Sequence, residues 1–223
     1  KPGVRRHALR LAEKKLGDSE HLLKSVLSMV DDKSAMVRLQ LALSLGESTD
    51  TRAADALADL LVRHGSDTWL TDAVLSSLGG RAGQMLVALL GKEKESSKLR
   101  GIIEPLCGTI ATRRNPGEFS RAIIQISKLS NTELQHRCLA GLRKPIKSAL
   151  RISLTTAAKE SLKRLTATGD VEVQLAALSL VRVLKIESEA ERMKRINVAI
   201  KKVENHRLPV NQRVSAVRGL GEE

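Results

Sequence analysis

The sequence is nearly without aromatic residues, which make up 1% of its 223 residues as Trp69 and Phe119, with no tyrosine. Hydrophobic residues nevertheless reach 42%, so the core must consist of Leu, Ala, Val and Ile. Such side chains suit closely packed helices, whereas β-strands favour β-branched and aromatic residues. The composition therefore favours an all-α protein over a β-sandwich.

Long apolar runs are missing as well. No run approaches the roughly 18 uninterrupted apolar residues that a membrane-spanning helix needs. The first residues, Lys1 to Arg6, lack the apolar region of a signal peptide. We therefore expect no membrane insertion by this segment and find no targeting signal in it.

Residues that bind metals or haem are few and scattered. Cys107 and Cys138 are the two cysteines, and each falls on an apolar helical stripe, where a thiol behaves as a small buried hydrophobe. No Cys-x-x-Cys pair occurs, which argues against a redox motif, a zinc knuckle or a haem attachment site. The 5 histidines lack the i, i+4 spacing that places two ligands on one helical face. We expect no cofactor and no metal in this segment.

Motifs for catalysis are also missing. Gly79-Gly80 ends a predicted helix instead of opening one, so it is not a phosphate-binding loop. The sequence pattern places no general base near Ser76-Ser77, so it does not support nucleophilic catalysis by these serines. The sequence predicts no enzyme active site.

What the sequence does contain is an internal repeat. Within residues 34 to 47, four apolar residues form one stripe of a 3.6-residue helix: Val37, Leu41, Ala42 and Leu45. Ser34 precedes the stripe as a candidate N-cap, and Gly46 follows it as a candidate C-cap. The spacing recurs from Val4, Val37, Leu70, Ile102, Leu134, Val173 and Gln212. Candidate caps stand three residues before later starts, at Asp67, Asn131 and Asp170.

The repeat period predicts the architecture. The starts are separated by 32 to 39 residues, a period typical of solenoids built from stacked helix pairs. We predict an all-α superhelix that spans residues 1 to 223 as one solenoid, with about six helical hairpins after a first half-repeat. An apolar edge is expected at the N-terminus, and the chain reads as an internal segment of a longer protein.

Three local features modify this pattern. Pro105 should kink the predicted helix Leu99 to Thr112 or mark a late start. A short helical piece is predicted from Ile146 to Ile152, which explains one longer step of the repeat. Ser188 and Glu191 form a candidate capping box for a long basic helix.

The positive charge is concentrated in the C-terminal half. Residues 1 to 111 carry 16 Lys and Arg against 14 Asp and Glu, whereas residues 112 to 223 carry 22 against 11. A half-chain with a charge of +11 should attract anionic partners. The basic cluster consists of Arg143, Lys144, Lys147 and Arg151, joined by Lys159, Lys163, Arg164, Arg192, Lys194, Arg195, Lys201, Lys202 and Arg207.

Each candidate interaction residue has a structural alternative. The basic cluster could be a solvated face, and weak non-specific nucleic-acid binding is its second functional interpretation, although few aromatics are available to stack on bases. Trp69, in the first turn of an inner helix, could face a ligand groove or wedge against the neighbouring repeat. Arg38 could reach a ligand or pair with Asp31 or Asp32 in a row of ion pairs between repeats.

The inner-helix pattern resembles HEAT repeats. Val37-Arg38, Leu41-Ala42 and Leu45-Gly46 match the pattern Val-Arg-x-x-(Ala/Leu)-(Ala/Leu)-x-x-Leu-Gly, and the generic repeat covers nearly the whole chain. A narrower resemblance covers residues 1 to 90, to the HEAT region of large exported bacterial membrane-bound dehydrogenases. The segments that carry it are Val4 to Glu13, Val37 to Glu47, Arg52 to Leu57 and Trp69 to Leu78.

This resemblance implies a function for the segment. In those proteins the solenoid lies between an N-terminal β-propeller and a C-terminal cytochrome c domain, in the cell envelope or periplasm. The segment would then be a non-catalytic scaffold that binds protein domains, including domains of its own parent chain. The alternative is a nucleic-acid-binding solenoid that uses the basic C-terminal half.

Overall fold

A computed structural model describes residues 1–92, 96–147, 152–186 and 189–221. These residues contain α-helices and two short 3₁₀ segments and no β-strand. The all-α class predicted from the composition is confirmed. The chain divides into two compact units, residues 1–106 and 107–223.

The first unit begins with a single helix, which is followed by helix pairs. Its helices are α1 (Pro2–Ala12), α2 (Glu20–Leu27), α3 (Ala35–Gly46), α4 (Thr51–His64), α5 (Thr68–Ser76) and α6 (Ala82–Leu90), and α7 (Ser96–Arg113) crosses the boundary to the second unit. The inner helices α1, α3 and α5 pack in succession, and the outer helix α4 packs on α6. Contact between successive repeats is the packing of an α-solenoid.

The second unit repeats this arrangement. Its helices are α8 (Pro116–Ile126), α9 (Thr132–Arg143), α10 (Thr156–Leu165), α11 (Val171–Val183), α12 (Glu189–Glu204) and α13 (Val210–Gly221). The inner helices α9, α11 and α13 pack in succession, and the outer helix α10 packs on α8. Across the described residues, twelve α-helices follow α1, the number that the predicted six helix pairs require.

The predicted apolar stripe is the core of the internal repeats. In α3 the residues Val37, Leu41, Ala42 and Leu45 are each 0% exposed, and the equivalent residues of α9 are buried in the same way. The stripe is not buried in α13, where Val217 is 52% exposed. In α1, Val4 is 67% and Leu11 is 80% exposed, which confirms the apolar edge. Among the described residues, α1 and α13 each contact one other inner helix, α3 and α11 respectively.

Most predicted caps are present. The side chains of Asp67, Asn131 and Asp170 each accept a hydrogen bond from the backbone N–H three residues later. The prediction for Ser34 is wrong in its chemistry, because the Ser34 side chain makes no cap bond. Instead, the Asp32 carboxylate accepts a hydrogen bond from the Ser34 backbone N–H.

The role predicted for Gly46 is also wrong. Gly46 is the last residue of α3 and has no left-handed conformation that would require glycine. A Cβ at this position would lie 2.6 Å from the Cβ of Ser77, which follows α5. Glycine is needed here because two successive inner helices approach each other closely at their C-terminal ends.

The three remaining local predictions have different outcomes. The late start at Pro105 is wrong, because α7 begins at Ser96 and continues through Pro105. At the predicted short helix, Ile146, Lys147 and Ile152 are not helical, and residues 148–151 lie outside the described residues. Ser188 of the predicted capping box also lies outside them, and α12 begins at Glu189.

Candidate functional site

The candidate residues from the sequence are divided between the two units. Arg38 and Trp69 belong to the first unit, on the successive inner helices α3 and α5. Arg143, Lys144 and Lys147 belong to the second unit. Arg151 lies outside the described residues.

Trp69 is an exposed tryptophan at the start of an inner helix. It occupies the first turn of α5, and 78% of the residue is exposed. It therefore does not wedge against the neighbouring repeat. Large aromatic side chains are mostly buried in folded proteins, and tryptophan is enriched in binding interfaces. An exposed tryptophan is therefore a candidate binding residue.

Two further apolar residues lie on the packed neighbour of this helix. Met36, on α3, has the same position in its repeat as Trp69 and is 52% exposed. Leu43 lies two helical turns after Met36, on the same face of α3, and is 42% exposed. We call Met36, Leu43 and Trp69 the inner apolar face. Sequence reasoning missed Met36 and Leu43 because it followed only the stripe that becomes the core.

Arg38 lies in a network at the start of α3. One of its terminal nitrogens, Nη1, donates to the backbone carbonyl of Asp32 at 2.7 Å. The Asp32 carboxylate is held instead by Arg5, through Nε at 2.6 Å and Nη2 at 2.8 Å. The hydrogen bonds from Arg5 are the largest cause that lowers the pKa of Asp32. An ion pair between repeats is thus present, with Arg5 and not Arg38 as its cation.

The repeat explains why Arg38 has no equivalent carboxylate. Arg5 and Arg38 hold the same position in successive repeats, and the residue equivalent to Asp32 in the next turn is Gly65. A Cβ at Gly65 would lie 2.3 Å from the carbonyl oxygen of Leu61, so a side chain does not fit there. The Arg38 Nε is buried and has no hydrogen-bond partner within the described part of the chain.

His64, at the end of α4, lies beside this arginine. Burial is the main cause that lowers the pKa of His64 below its usual 6.5, and the Arg38 charge acts in the same direction. Asp31 opposes the shift, with its Oδ1 3.9 Å from the His64 Nε2, but Asp31 is also paired with Arg63. A hydrogen bond to the Val30 backbone raises the pKa slightly. Neutral His64 is therefore the form that this environment favours.

This environment predicts a pH dependence of stability. Between the lowered pKa and about 6.5, the unfolded chain binds a proton at this histidine that the folded protein does not bind. The free energy of unfolding should therefore decrease as the pH falls through about 6.5, and the loss should be complete below the folded pKa. Urea denaturation at several pH values would measure this slope.

The matched variant for this prediction is His64→Gln, which cannot titrate. It should lose the slope just below about pH 6.5 and keep the loss of stability at lower pH. That later loss comes from carboxylates such as Glu20. The hydrogen bonds from Arg52 are the largest cause that lowers the pKa of Glu20, from 4.5 to about 2. A slope that remains unchanged in His64→Gln would show that another group causes it.

In the second unit, Arg143 has a structural role. Its Nε donates to the Ser179 hydroxyl at 3.0 Å, and its Nη1 donates to the Ile146 carbonyl at 2.5 Å. The half-buried guanidinium thereby links the end of α9 to α11. Lys144 and Lys147 follow it in the chain and are exposed.

Two cations from the next repeat join these lysines. Arg182 has the same repeat position in α11 as Arg143 has in α9, and Lys185 follows α11. Both are exposed, and α9 packs on α11. We call Lys144, Lys147, Arg182 and Lys185 the basic edge. Sequence reasoning missed Arg182 and Lys185, although the repeat step of 39 residues between Leu134 and Val173 would have indicated them.

The other predicted cations lie on outer elements. Those described as exposed are Lys159, Lys163, Arg164, Lys194, Lys201, Lys202 and Arg207. The side chains of Arg192 and Arg195 lie outside the described residues. Phe119, the aromatic residue of the second unit, is 0% exposed. This unit therefore presents cations without an aromatic platform for nucleic-acid bases.

The remaining features concern the cysteines, metal ligands and membrane-spanning helices of the described part of the chain. Cys107 and Cys138 are buried and form no disulfide bond among the described residues, and those residues contain no group of three or more side chains suited to hold a metal ion. None of the helices described is long and apolar enough to cross a membrane.

No family model, curated protein or solved structure matches this chain.

Proposed function

We propose that this chain is a non-catalytic protein-docking module of the HEAT-repeat type. Its place would be in a larger exported dehydrogenase of the cell envelope, between a β-propeller and a cytochrome c domain. The proposal rests on the motif resemblance in residues 1 to 90 and is consistent with the stacked helix pairs. The module would need no cofactor of its own, because chemistry would belong to the flanking domains.

The observation that carries the docking role is the basic edge. Lys144, Lys147, Arg182 and Lys185 stand at the C-terminal ends of two packed inner helices. Cations at helix C-termini also stabilise the helix dipole by about 0.3–1 kcal/mol each. The two roles are separable, because docking depends on the charge of the partner and helix stabilisation does not.

The complete reading frame tests the proposed context. We expect a propeller sequence upstream and a Cys-x-x-Cys-His sequence downstream of this segment. A frame that encodes neither would remove the dehydrogenase context, and the docking role would then be tested without it.

The docking role predicts the effect of charge reversal. Replacing Lys144, Lys147 and Lys185 by Glu should weaken binding of the separately expressed cytochrome or propeller domain about tenfold or more, and reduce its salt dependence, because the lost attraction is electrostatic. Isothermal titration at about 0.05 and about 0.3 M salt would measure both effects, since screening is much stronger at the higher value.

The matched control reverses three exposed cations of the same unit on an outer helix. Replacing Lys159, Lys163 and Arg164 by Glu changes the net charge as much as reversing the three lysines of the basic edge. If the position of the charges matters, this control should change binding little. Equal losses in both variants would indicate attraction by net charge alone. Unchanged binding after reversal of the basic edge would leave helix stabilisation as its role.

Nucleic-acid binding is the alternative function, and the charge of the second half favours it. Under the docking proposal, duplex DNA should bind weakly, without sequence preference, and should dissociate near physiological salt, because the affinity comes from counterion release. Fluorescence anisotropy with labelled duplexes would measure this. Sequence-dependent binding that survives about 200 mM salt would replace the docking proposal.

A further inference from the structure

We propose that the inner apolar face of the first unit binds a short extended peptide with an acidic end, an apolar centre and a basic end. This surface is separate from the basic edge and belongs to the other unit. The inference therefore does not depend on the proposed function. It rests on the exposed side chains of α1, α3 and α5 and on their charges.

The centre of the surface is apolar. Met36 and Leu43 project from α3, and Trp69 projects from the packed neighbour α5. Exposed apolar side chains that lie singly are ordinary, but grouped ones mark binding sites. Tryptophan is also the residue type most enriched among side chains that dominate binding energy.

The flanking helices carry opposite charges. All charged residues of α1 are the arginines Arg5, Arg6 and Arg10, so the helix carries +3. Asp72 is the charged residue of α5, which therefore carries −1. Arg5 is neutralised by Asp32, whereas Arg10 is exposed. A complementary ligand would be acidic beside α1 and basic beside α5.

The positions of these charges agree with the repeat. Arg10 has the same repeat position in α1 as Leu43 has in α3, and His7 is equivalent to Gln40. The C-terminal end of α1 is joined to α3, because Glu13, which directly follows α1, accepts hydrogen bonds from Gln40 and Ser44. The exposed Arg10 of α1 therefore flanks the apolar centre.

At the other end, Trp69 and Asp72 are suited to a cation. They are three residues apart on α5, a spacing that places two side chains on the same helical face. The exposed indole can attract a Lys or Arg side chain over its ring, and the carboxylate can pair with it. Asp72 is exposed and makes no ion pair among the described residues.

The dimensions indicate the length of the ligand. Packed helices lie about 8–10 Å apart, so three successive inner helices span about 20 Å. An extended chain advances about 3.3 Å per residue, so six or seven residues would cross the surface. A second copy of the chain is a poorer occupant, because three partly exposed side chains fall well short of the roughly 800 Å² per partner of a stable interface.

The test is selection from a displayed library of random heptapeptides on the whole chain. We expect enriched peptides with Asp or Glu at one end, Leu, Ile or Met in the middle, and Lys or Arg at the other end. Binding of a synthetic enriched peptide should change the fluorescence of Trp69, the only tryptophan of the chain.

Variants decide whether this face is the site. Trp69→Ala should weaken binding of the labelled peptide at least tenfold, and Asp72→Lys should weaken peptides with a basic end more than peptides without one. The control is Val87→Ala, which shortens an exposed side chain on the outer helix α6 of the same unit, and it should leave binding unchanged. Circular dichroism confirms that each variant is folded.

Four outcomes would overturn the proposal. One is the absence of enriched peptides, and another is enrichment without the charge order. The third is binding that survives Trp69→Ala. A stable dimer of the free chain that Trp69→Ala dissociates would assign the face to a second copy instead.

Discussion

Leu41→Asp is expected to unfold the first unit at room temperature or leave it marginally stable. Leu41 is 0% exposed and lies in the middle of α3, which packs on both α1 and α5. An unpaired carboxylate in this position loses its hydration and also removes apolar contacts. Such a change costs about 4 kcal/mol or more, a large share of the roughly 5–15 kcal/mol that stabilises a domain.

The matched control is Leu43→Asp, the same substitution on the same helix. Leu43 is 42% exposed, so a carboxylate there remains hydrated and should cost less than about 1 kcal/mol. Urea denaturation followed by circular dichroism measures both. If the two variants unfold at the same urea concentration, the assignment of the core stripe is incorrect.

Glu118→Met is expected to stabilise the second unit by about 1–3 kcal/mol. Glu118 lies in the first turn of α8 and is 4% exposed. Neither carboxylate oxygen has a hydrogen-bond partner within the described part of the chain, and the ion-pair contact of Oε2 with the Arg113 Nε is 4.0 Å long. A buried carboxylate so poorly paired costs more by lost hydration than it gains by attraction. Methionine has a similar volume and no charge.

The control for this prediction is Glu133→Met on α9. Glu133 pairs with Arg137 at 3.1 Å, but both side chains are more than a third exposed, so its removal should change stability by about 0.5 kcal/mol or less. Thermal and urea denaturation of both variants would measure the difference. If Glu118→Met destabilises the protein, the carboxylate contributes an interaction that outweighs its burial.

Pro105 shows where local reasoning about the fold fails. A proline inside a helix costs about 3 kcal/mol, which predicted a kink or a late start. α7 nevertheless buries five aliphatic side chains at 0–2% exposure, namely Leu99, Ile102, Ile103, Leu106 and Ile110. At about 1.5–3 kcal/mol each, their burial outweighs the cost of the proline. The sequence shows the cost directly, whereas the gain depends on neighbours that fold against the helix.

The candidate surfaces were predicted only in part, for a similar reason. The cations of the second half were visible in the sequence, and so was Trp69 as a candidate. The exposure of Trp69 and Met36 was not, because a large apolar residue in a helix is buried or exposed according to the elements around it. Met36 lies one residue before the buried Val37, so a rotation of about 100° around the helix separates surface from core.

The sequence by itself determined most of the helices, their order and the buried stripes of the internal repeats. It contained the 3.6-residue spacing, the caps at Asp67, Asn131 and Asp170, and the period of 32 to 39 residues, all of which act within one helix or one repeat. The tertiary structure decided which residue meets which across repeats: Arg5 with Asp32, Gly46 with Ser77, and Arg143 with Ser179. These partners are 27 to 36 residues apart. Their contact depends on how one helix pair packs on the next. Local conformational preferences do not specify this packing.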